Sequence, residues 1–249
     1  MKALILAAGF GNRLRPITEC VPKCLVEVNG TPLLENNLNN LCELGDISEI
    51  GIVVGHMADY IKSRVGNEWY GIPIKYFENK RYMETNNVVS LYQAAEFCDD
   101  DMLLLECDIY YNIEMLRRLK AGKGDCSILV SPFNKETMDG TVIAIENDDA
   151  KSLILGKWQG DDFDYTNTRK TVNMYKFKKE FIEKKYMPLI KWYVENMSEA
   201  NYYEKVLGGL LYYRECDARI VEVPETMWCE IDDVEDLKRA EKQFSRDVF

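Results

Sequence analysis

Apolar residues come along this chain in short runs, and segments of helical periodicity separate them. The first run, residues 3–8, has no polar interruption, which is typical of a strand buried on both faces of a parallel sheet. Pro32 then precedes leucines that recur near helical spacing up to Leu44, and Gly45 follows them. A second apolar run at 50–54 completes the pattern of a β-α-β unit.

The same alternation continues towards the C-terminus. We predict further strands at 74–77, 102–105, 127–131, 175–177 and 220–223, a strand meander over 142–155, a short extended piece at 23–28, and helices at 58–65, 87–97, 113–121, 179–196, 202–211 and 233–244. No linker, repeat or low-complexity tract divides the chain, so we expect one domain over residues 1–249. The predicted class is α/β, with a mostly parallel central sheet and flanking helices.

Composition and charge narrow the class of protein. Of the 249 residues, 47% are hydrophobic and 29% are charged, which is the balance of a soluble globular protein. The formal net charge of −11 would repel a phosphate backbone, so we expect no nucleic-acid partner. No apolar run approaches the roughly 18 residues that cross a membrane. The N-terminal run is too short for a signal-peptide core, so we expect a cytoplasmic protein without a membrane partner.

Cysteine and histidine usage excludes several kinds of chemistry. The eight cysteines include no C-x-x-C pair, and the one histidine, His56, follows a predicted strand and is expected in a loop. A zinc site of recognised spacing and a histidine-dependent nucleophile are therefore not expected. We expect reduced thiols, most of them buried.

A glycine loop follows the first strand and carries the strongest chemical signal. Gly9 and Gly11 stand at the carboxyl end of that strand, where open parallel sheets bind ligands and glycine lets backbone N–H groups approach a phosphate. A dinucleotide fingerprint would need a small residue where Leu14 stands, and the sequence has no Walker motif. Arg13 and Lys23 make this segment basic within an acidic chain, which indicates a triphosphate site.

Two motifs at fixed spacing resemble a known superfamily. Residues 6–18, L-A-A-G-F-G-N-R-L-R-P-I-T, followed by Pro22-Lys23, resemble the nucleotidyltransferase signature L-A-A-G-x-G-[ST]-R-L-x-P-x-T…P-K. Asn12 departs from the usual Ser or Thr but keeps a polar side chain. The resemblance implies a Rossmann-like, GT-A-like fold. Residues 86–92, N-N-V-V-S-L-Y, and 230–232, E-I-D, further resemble the cholinephosphate cytidylyltransferase branch, since sugar-phosphate enzymes usually carry a glycine-rich segment in place of the first.

The resemblance also implies roles for particular residues. Arg13 would neutralise the leaving pyrophosphate, and Lys23 would hold oxygens of the acceptor and the α-phosphate. Lys23 is expected in a polar loop, so its removal should lower turnover and leave folding intact. An asparagine amide of the N-N-x-x-S segment is expected to read the donor and acceptor edges of cytosine. The predicted nucleotide-binding residues are Leu6, Ala7, Ala8, Gly9, Gly11, Asn12, Arg13, Lys23, Asn79, Asn86, Asn87 and Ser90.

A metal site is implied by two acids far apart in the sequence. Asp108 stands where the superfamily places its strand-end metal aspartate, and Asp232 ends the E-I-D motif. The expected cofactor is Mg²⁺, for which one or two carboxylates with water and phosphate oxygens suffice. Glu230 is predicted as a third ligand or as an acid behind the other two. Because carboxylates repel each other, their convergence is expected to require a cation.

The acceptor pocket is expected mainly within residues 130–230. A quaternary or primary ammonium group on the acceptor would favour aromatic faces and carboxylates. The predicted acceptor-binding residues are Tyr110, Trp158, Tyr203, Glu204 and Trp228, with Tyr111 and Tyr202 as further aromatic candidates.

The resemblance implies a CTP-dependent cytidylyltransferase. It would transfer CMP to phosphocholine, 2-aminoethylphosphonate or a similar amine or amino-acid phosphate and release pyrophosphate, in the synthesis of a cell-surface polysaccharide or lipid precursor. A sugar-1-phosphate nucleotidyltransferase is the alternative enzyme. A non-catalytic nucleotide-sensing subunit is the alternative from a different class. The sequence leaves the acceptor and a homodimeric state open.

Overall fold

The computed structural model describes residues 1–245, so the last four residues of the predicted domain lie outside it. The strands are β1 (Lys2–Ala7), β2 (Glu27–Val28), β3 (Thr31–Pro32), β4 (Glu49–Val54), β5 (Glu68–Trp69), β6 (Ile72–Glu78), β7 (Met102–Glu106), β8 (Ile109–Tyr111), β9 (Cys126–Ser131), β10 (Val142–Glu146), β11 (Asp149–Ile154), β12 (Thr168–Phe177), β13 (Ala218–Glu222) and β14 (Trp228–Glu230). The helices are α1 (Leu33–Leu44), α2 (Ala58–Val65), α3 (Asn87–Gln93), α4 (Glu114–Ala121), α5 (Lys179–Phe181), α6 (Met187–Asn196), α7 (Tyr203–Tyr212) and α8 (Val234–Gln243).

Ten strands form one central sheet in the order β10-β11-β13-β9-β12-β7-β1-β4-β6-β5. Strand β1 pairs in parallel with β4 and β7, and β4 pairs in parallel with β6. The predicted α/β fold with a central sheet and flanking helices is confirmed. The sheet is mixed, because β12 runs antiparallel to both β7 and β9 and a two-residue turn makes β10 and β11 a hairpin.

The side chains of β1 alternate between two hydrophobic clusters, one on each face of the sheet. Leu4 and Leu6 belong to one cluster, and Ala3 and Ile5 to the other. A strand that is buried on both faces must be apolar at every position, which is why this run was recognisable in the sequence. By the same alternation, the side chain of Ala7 lies in the second cluster, on the face of the sheet opposite to Leu6.

Several elements differ from the predictions. Residues 23–25 form a 3₁₀ turn and not an extended piece. The predicted helix 87–97 is α3 followed by a separate 3₁₀ turn at 95–97, and the helix 179–196 contains a π-helical turn at 182–186. Strand β12 begins seven residues before the predicted strand 175–177. The prediction missed its first half because that half is polar and lacks the alternation of a half-buried strand.

The described part of the chain contains no helix long and apolar enough to cross a membrane. All eight cysteines are free, and Cys24, Cys98, Cys107, Cys126 and Cys229 are buried. His56 follows β4 and lies against Phe10 of the glycine loop, with ring centroids 4.3 Å apart.

Candidate active site

The glycine loop after β1 is built around Gly11. This residue has a φ of +75°, and a Cβ added to it would lie 2.9 Å from the Cβ of Lys23. Its carbonyl accepts a 2.8 Å hydrogen bond from the hydroxyl of Thr18. Only glycine fits this conformation and this close approach without displacing Lys23. The loop and the lysine are therefore positioned together.

Four charged side chains meet beneath this loop, and we call Arg13, Lys23, Asp108 and Asp232 the central ion-pair cluster. The Lys23 ammonium donates to Asp108 Oδ2 and to Asp232 Oδ1, each at 2.7 Å. Arg13 Nη2 lies 2.8 Å from Asp232 Oδ2. Lys23 is only 8% exposed, so the expectation that it occupies a polar loop is wrong. Two carboxylates hold its charge inside the protein.

The ionisation of the cluster follows from this geometry. Burial by itself would lower the pKa of Lys23, but the charges of Asp108 and Asp232 outweigh it and raise that pKa. Burial likewise opposes the shift at Asp232, where Lys23 and Arg13 lower the pKa of the carboxyl. The two acids were expected to converge only around a cation, and in this structure the Lys23 ammonium lies between them.

A small two-stranded sheet brings the two aspartates together. Strands β8 and β14 pair antiparallel, with Glu230 opposite Ile109. The backbone N–H of Ile231 donates to the carbonyl of Asp108 at 2.9 Å. The residue that follows Ile231 is Asp232, so this pairing places its side chain beside Asp108.

The two aspartates have the chemistry of a magnesium site. Asp108 Oδ1 is buried and has no hydrogen-bond partner in the structure. Carboxylate oxygens are the ligands that Mg²⁺ prefers, so the pair fits this ion. Glu230 does not join them, because its Oε2 lies 3.3 Å from the ammonium of the buried Lys170. Within residues 1–245 no three Asp, Glu, His or Cys side chains are grouped to hold a metal ion.

A cavity of about 350 Å³ opens above the glycine loop. It is lined by eleven of the twelve predicted nucleotide-binding residues, Leu6, Ala8, Gly9, Gly11, Asn12, Arg13, Lys23, Asn79, Asn86, Asn87 and Ser90. The side chain of Ala7 points into the second hydrophobic cluster instead. Four further residues line the cavity but were not predicted to bind nucleotide, namely Tyr82, Thr85, Glu106 and Tyr202.

Most asparagine amides in this cavity are already engaged. Asn87 Nδ2 donates to Glu106 Oε1 at 3.2 Å, and Asn87 Oδ1 accepts from the backbone of Tyr203 at 3.0 Å. Asn79 donates to Thr85 and Ser90. Asn86 Oδ1 caps α3 by accepting from Asn87 N. Both edges of the Asn87 amide are therefore used within the protein, and the expectation that an asparagine of this segment reads cytosine stays a prediction.

A second cavity, of about 570 Å³, meets the first one at Arg13 and Asp232. Its walls are the loop 134–139, strand β14 and the start of α8. Trp228, one of the predicted acceptor-binding residues, is among the residues that line it.

Four of the five predicted acceptor-binding residues, Tyr110, Trp158, Tyr203 and Glu204, line neither cavity. The ring of Tyr110 packs against Phe244, with centroids 4.9 Å apart. Trp158 lies on a turn with 56% of its surface exposed. Aromatic composition alone cannot distinguish packing residues from binding residues, and the acceptor roles of these two residues stay predictions that the cavities do not support. Tyr111 is also a packing residue, 2% exposed, and its hydroxyl donates to Asn37.

Tyr203 and Glu204 occupy the first turn of α7, directly behind Glu106. The hydroxyl of Tyr203 donates to Glu106 Oε1 at 2.8 Å. Burial raises the pKa of Glu106 well above its usual value, with the charges of Asp108 and Glu204 adding to the shift. Burial also raises the pKa of Glu204 to about 7 and raises that of Glu230. Of these carboxyls, Glu204 is buried, whereas Glu106 and Glu230 are half-buried and line the first and the second cavity.

Comparison with known proteins identifies the family of this chain. Residues 2–154 match the family model described as nucleotidyl transferase. The chain is similar to the CMP-5'-(3-aminopropyl)phosphonate synthase of Streptomyces rubellomurinus, with 29% identity over 98% of this chain and 39% of that protein. It is similar to the CTP:phosphoglutamine cytidylyltransferase of Campylobacter jejuni, with 27% identity over 96% of this chain and 98% of that protein.

Among solved structures, the chain resembles the CTP:phosphocholine cytidylyltransferase of Streptococcus pneumoniae. The TM-score is 0.76 and the sequence identity 25%, over 97% of each chain. A glycine loop above paired aspartates at the edge of an α/β sheet thus defines the class of the protein. The chain belongs to the nucleotidyl transferase family and has its α/β fold.

Proposed function

We propose that this protein is a CTP-dependent cytidylyltransferase that transfers CMP to a small phosphate or phosphonate acceptor and releases pyrophosphate. The observation that carries the proposal is the position of the central ion-pair cluster, where the two cavities meet at Arg13 and Asp232. A nucleotide in the first cavity and an acceptor in the second would bring their phosphates together there. The names of the relatives support CTP as the nucleotide.

The reaction would be an in-line displacement at the α-phosphorus of CTP. An oxygen of the acceptor forms a bond to that phosphorus while the bond to the bridging oxygen of the β-phosphate breaks, and pyrophosphate leaves. The acceptor oxygen is anionic at neutral pH, so the site needs no strong general base. Catalysis then consists of positioning and charge stabilisation.

The cluster has the charges that such a displacement needs. The Arg13 side chain is 60% exposed and one of its nitrogens contacts Asp232, so its other N–H groups can bind the leaving pyrophosphate. Lys23 is held at one point by two carboxylates, and its ammonium can bind an oxygen that gains charge in the transition state. Asp108 and Asp232 would hold Mg²⁺, which supplies further positive charge to the phosphate oxygens.

A matrix of nucleotides and acceptors tests the proposal. CTP, UTP, dTTP and GTP are each assayed for pyrophosphate release with phosphocholine, 2-aminoethylphosphonate and glucose 1-phosphate, and Lys23→Ala serves as the blank for contaminating enzymes. We expect the highest kcat/KM with CTP and an amine-bearing acceptor. A higher kcat/KM with UTP or dTTP, or with glucose 1-phosphate, would instead indicate a sugar-1-phosphate enzyme. Binding of CTP without pyrophosphate release from any acceptor would indicate a nucleotide-sensing subunit.

A further inference from the structure

Two segments from distant parts of the chain contribute to the lining of the first cavity, and we call them the first and the second wall segment. The first wall segment, residues 79–86, connects β6 to α3, and the second, residues 198–202, precedes α7. The first contributes Asn79, Tyr82, Thr85 and Asn86 to the cavity. The second contributes Tyr202, which is 47% exposed and therefore lies at the open edge of the cavity.

The side chain of Asn79, which is 2% exposed, holds the first wall segment in a turn. Its Oδ1 accepts from the backbone N–H of Arg81 at 3.1 Å, and its Nδ2 donates to the Thr85 hydroxyl at 3.0 Å. That hydroxyl in turn donates to the carbonyl of Arg81 at 2.9 Å. The turn thus fixes the backbone of Arg81, whose side chain is 55% exposed.

A bidentate ion pair joins the two wall segments. Arg81 Nη1 and Nη2 donate to Oε1 and Oε2 of Glu199, at 2.8 and 2.9 Å. Two parallel hydrogen bonds form only when the guanidinium and the carboxylate are aligned, so the pair fixes an orientation as well as a distance. Arg81 Nε also donates to Glu84 at 3.2 Å, within the first wall segment. The guanidinium is therefore bonded to both wall segments.

Backbone hydrogen bonds continue this connection beside the ion pair. The N–H of Asn86 donates to the carbonyl of Glu199 at 2.9 Å. The N–H of Tyr203, the first residue of α7, donates to Asn87 Oδ1 at 3.0 Å. Tyr202 lies in the sequence between these two points of attachment. Its position at the edge of the cavity therefore depends on how the second wall segment is held.

The ion pair is placed to affect binding more than overall stability. The two side chains are 55% and 40% exposed, and exposed ion pairs contribute little to the stability of a whole domain. Neither Arg81 nor Glu199 lines the first cavity, so they act on a ligand only through the wall segments. Segments beside ligand sites open locally at low free-energy cost. Without the ion pair, a nucleotide would have to order the second wall segment as it binds, which costs affinity.

We propose that Arg81 and Glu199 are positioning residues for the nucleotide, because their ion pair holds the second wall segment at the edge of the first cavity and so sets the affinity for CTP. This inference rests on the proposed function, which assigns the nucleotide to the first cavity. Loss of the pair should weaken CTP binding and leave turnover of the bound complex unchanged, since the central ion-pair cluster is untouched.

Charge reversal and its repair test the inference. Arg81→Glu sets a carboxylate against Glu199, and Glu199→Arg sets a guanidinium against Arg81, so each variant replaces an attraction by a repulsion. We expect roughly a fivefold rise in the Kd for CTP, measured by calorimetry without acceptor, and in the KM for CTP at saturating 2-aminoethylphosphonate. We expect kcat within about twofold and Tm within about 3 °C of wild type. The double variant Arg81→Glu/Glu199→Arg restores opposite charges and should recover most of the lost affinity.

Controls distinguish a local role from a general effect of charge. Arg117→Glu is the matched control, because Arg117 is 51% exposed, lies 2.8 Å from Glu43 and lines neither cavity, so its Kd for CTP should equal that of wild type. Arg81→Gln, which removes the charge without reversing it, should raise the Kd by roughly twofold to threefold and provides a second test if a reversal variant does not fold.

Three results would overturn the inference. An unchanged Kd for CTP in the single variants, or a loss that the double variant does not recover, would refute the role of the ion pair and leave the proposed function intact. A fall in kcat without a change in Kd or KM would refute a positioning role in nucleotide binding. Absence of both CTP binding and pyrophosphate release in the wild-type protein would overturn the inference together with the proposed function.

Discussion

Replacement of Lys23 by methionine removes the cation between two carboxylates while keeping the length of the side chain. Breaking a buried ion pair from one side costs about 3–5 kcal/mol, because the partner charge stays buried. Asp108 and Asp232 are each 19% exposed and Arg13 still contacts Asp232, so the lower end, about 3 kcal/mol, applies. For a domain of this size about 3 kcal/mol corresponds to a fall in Tm of roughly 6–12 °C.

The pH dependence of Tm separates this effect from lost packing. The pKa of Asp232 is lowered in the folded protein, so its contribution to stability is present above its unfolded pKa of about 3.9 and is lost as the pH falls through the folded value. In Lys23→Met the two carboxylates lose their cation, and protonation relieves their repulsion. We therefore expect the difference in Tm between wild type and variant to be largest at pH 7–8 and to narrow as the pH approaches about 4.

A control and a double variant complete this test. Lys184→Met removes an exposed lysine paired with Glu180 on a helix, and we expect it to change Tm by less than about 3 °C, since surface ion pairs contribute roughly 0–1 kcal/mol. Asp108→Asn in the Lys23→Met background should recover part of the lost Tm, because it removes one of the repelling charges. A Lys23→Met Tm within about 2 °C of wild type at pH 7, with no recovery in the double variant, would refute a buried Lys23 between two acids.

Two further predictions concern the loop and the metal. Gly11→Ala should destabilise the protein by about 1 kcal/mol or more and lower kcat at least tenfold, because the new Cβ would lie 2.9 Å from Lys23 Cβ. Gly160→Ala is the control: its Cβ would have no atom within 4 Å, so this variant should match wild type in Tm and kcat. Chelation by EDTA should abolish activity and Mg²⁺ should restore it, and Asp108→Asn and Asp232→Asn should each raise the Mg²⁺ concentration for half-maximal rate. The double aspartate variant should be little worse than the worse single one, and fully additive losses would contradict one shared ion.

The fold and the loop could be predicted because their signals are local. The apolar run of β1 and the glycines that follow it lie within one stretch of sequence, and in the structure the glycine loop directly follows the strand. The convergence of Asp108 and Asp232 was expected only from resemblance, because it depends on the pairing of two strands of three residues each. No sequence pattern specifies such a short pairing.

The burial of Lys170 and Asn173 could not be predicted from the sequence. Lys170 lies in the polar first half of β12 and Asn173 directly after that half. This stretch resembles a loop in the sequence, and the burial of both residues becomes evident only when the strand packs inside the sheet. The acceptor predictions relied on aromatic composition, which does not reveal whether a ring packs or binds. The sequence therefore did not reveal that Tyr110 packs against Phe244 or that Trp158 is exposed.

The destination of oxygen atoms tests the proposed reaction most directly. Wild-type protein is incubated with CTP, Mg²⁺ and 2-aminoethylphosphonate that carries ¹⁸O in its phosphonate oxygens. The masses of the products are then measured by mass spectrometry. In-line attack by the acceptor on the α-phosphorus predicts a CMP-linked product that retains all of the label, together with an equal amount of unlabelled pyrophosphate. Labelled pyrophosphate, release of inorganic phosphate, or the absence of a CMP-linked product with any acceptor in the panel would contradict the account.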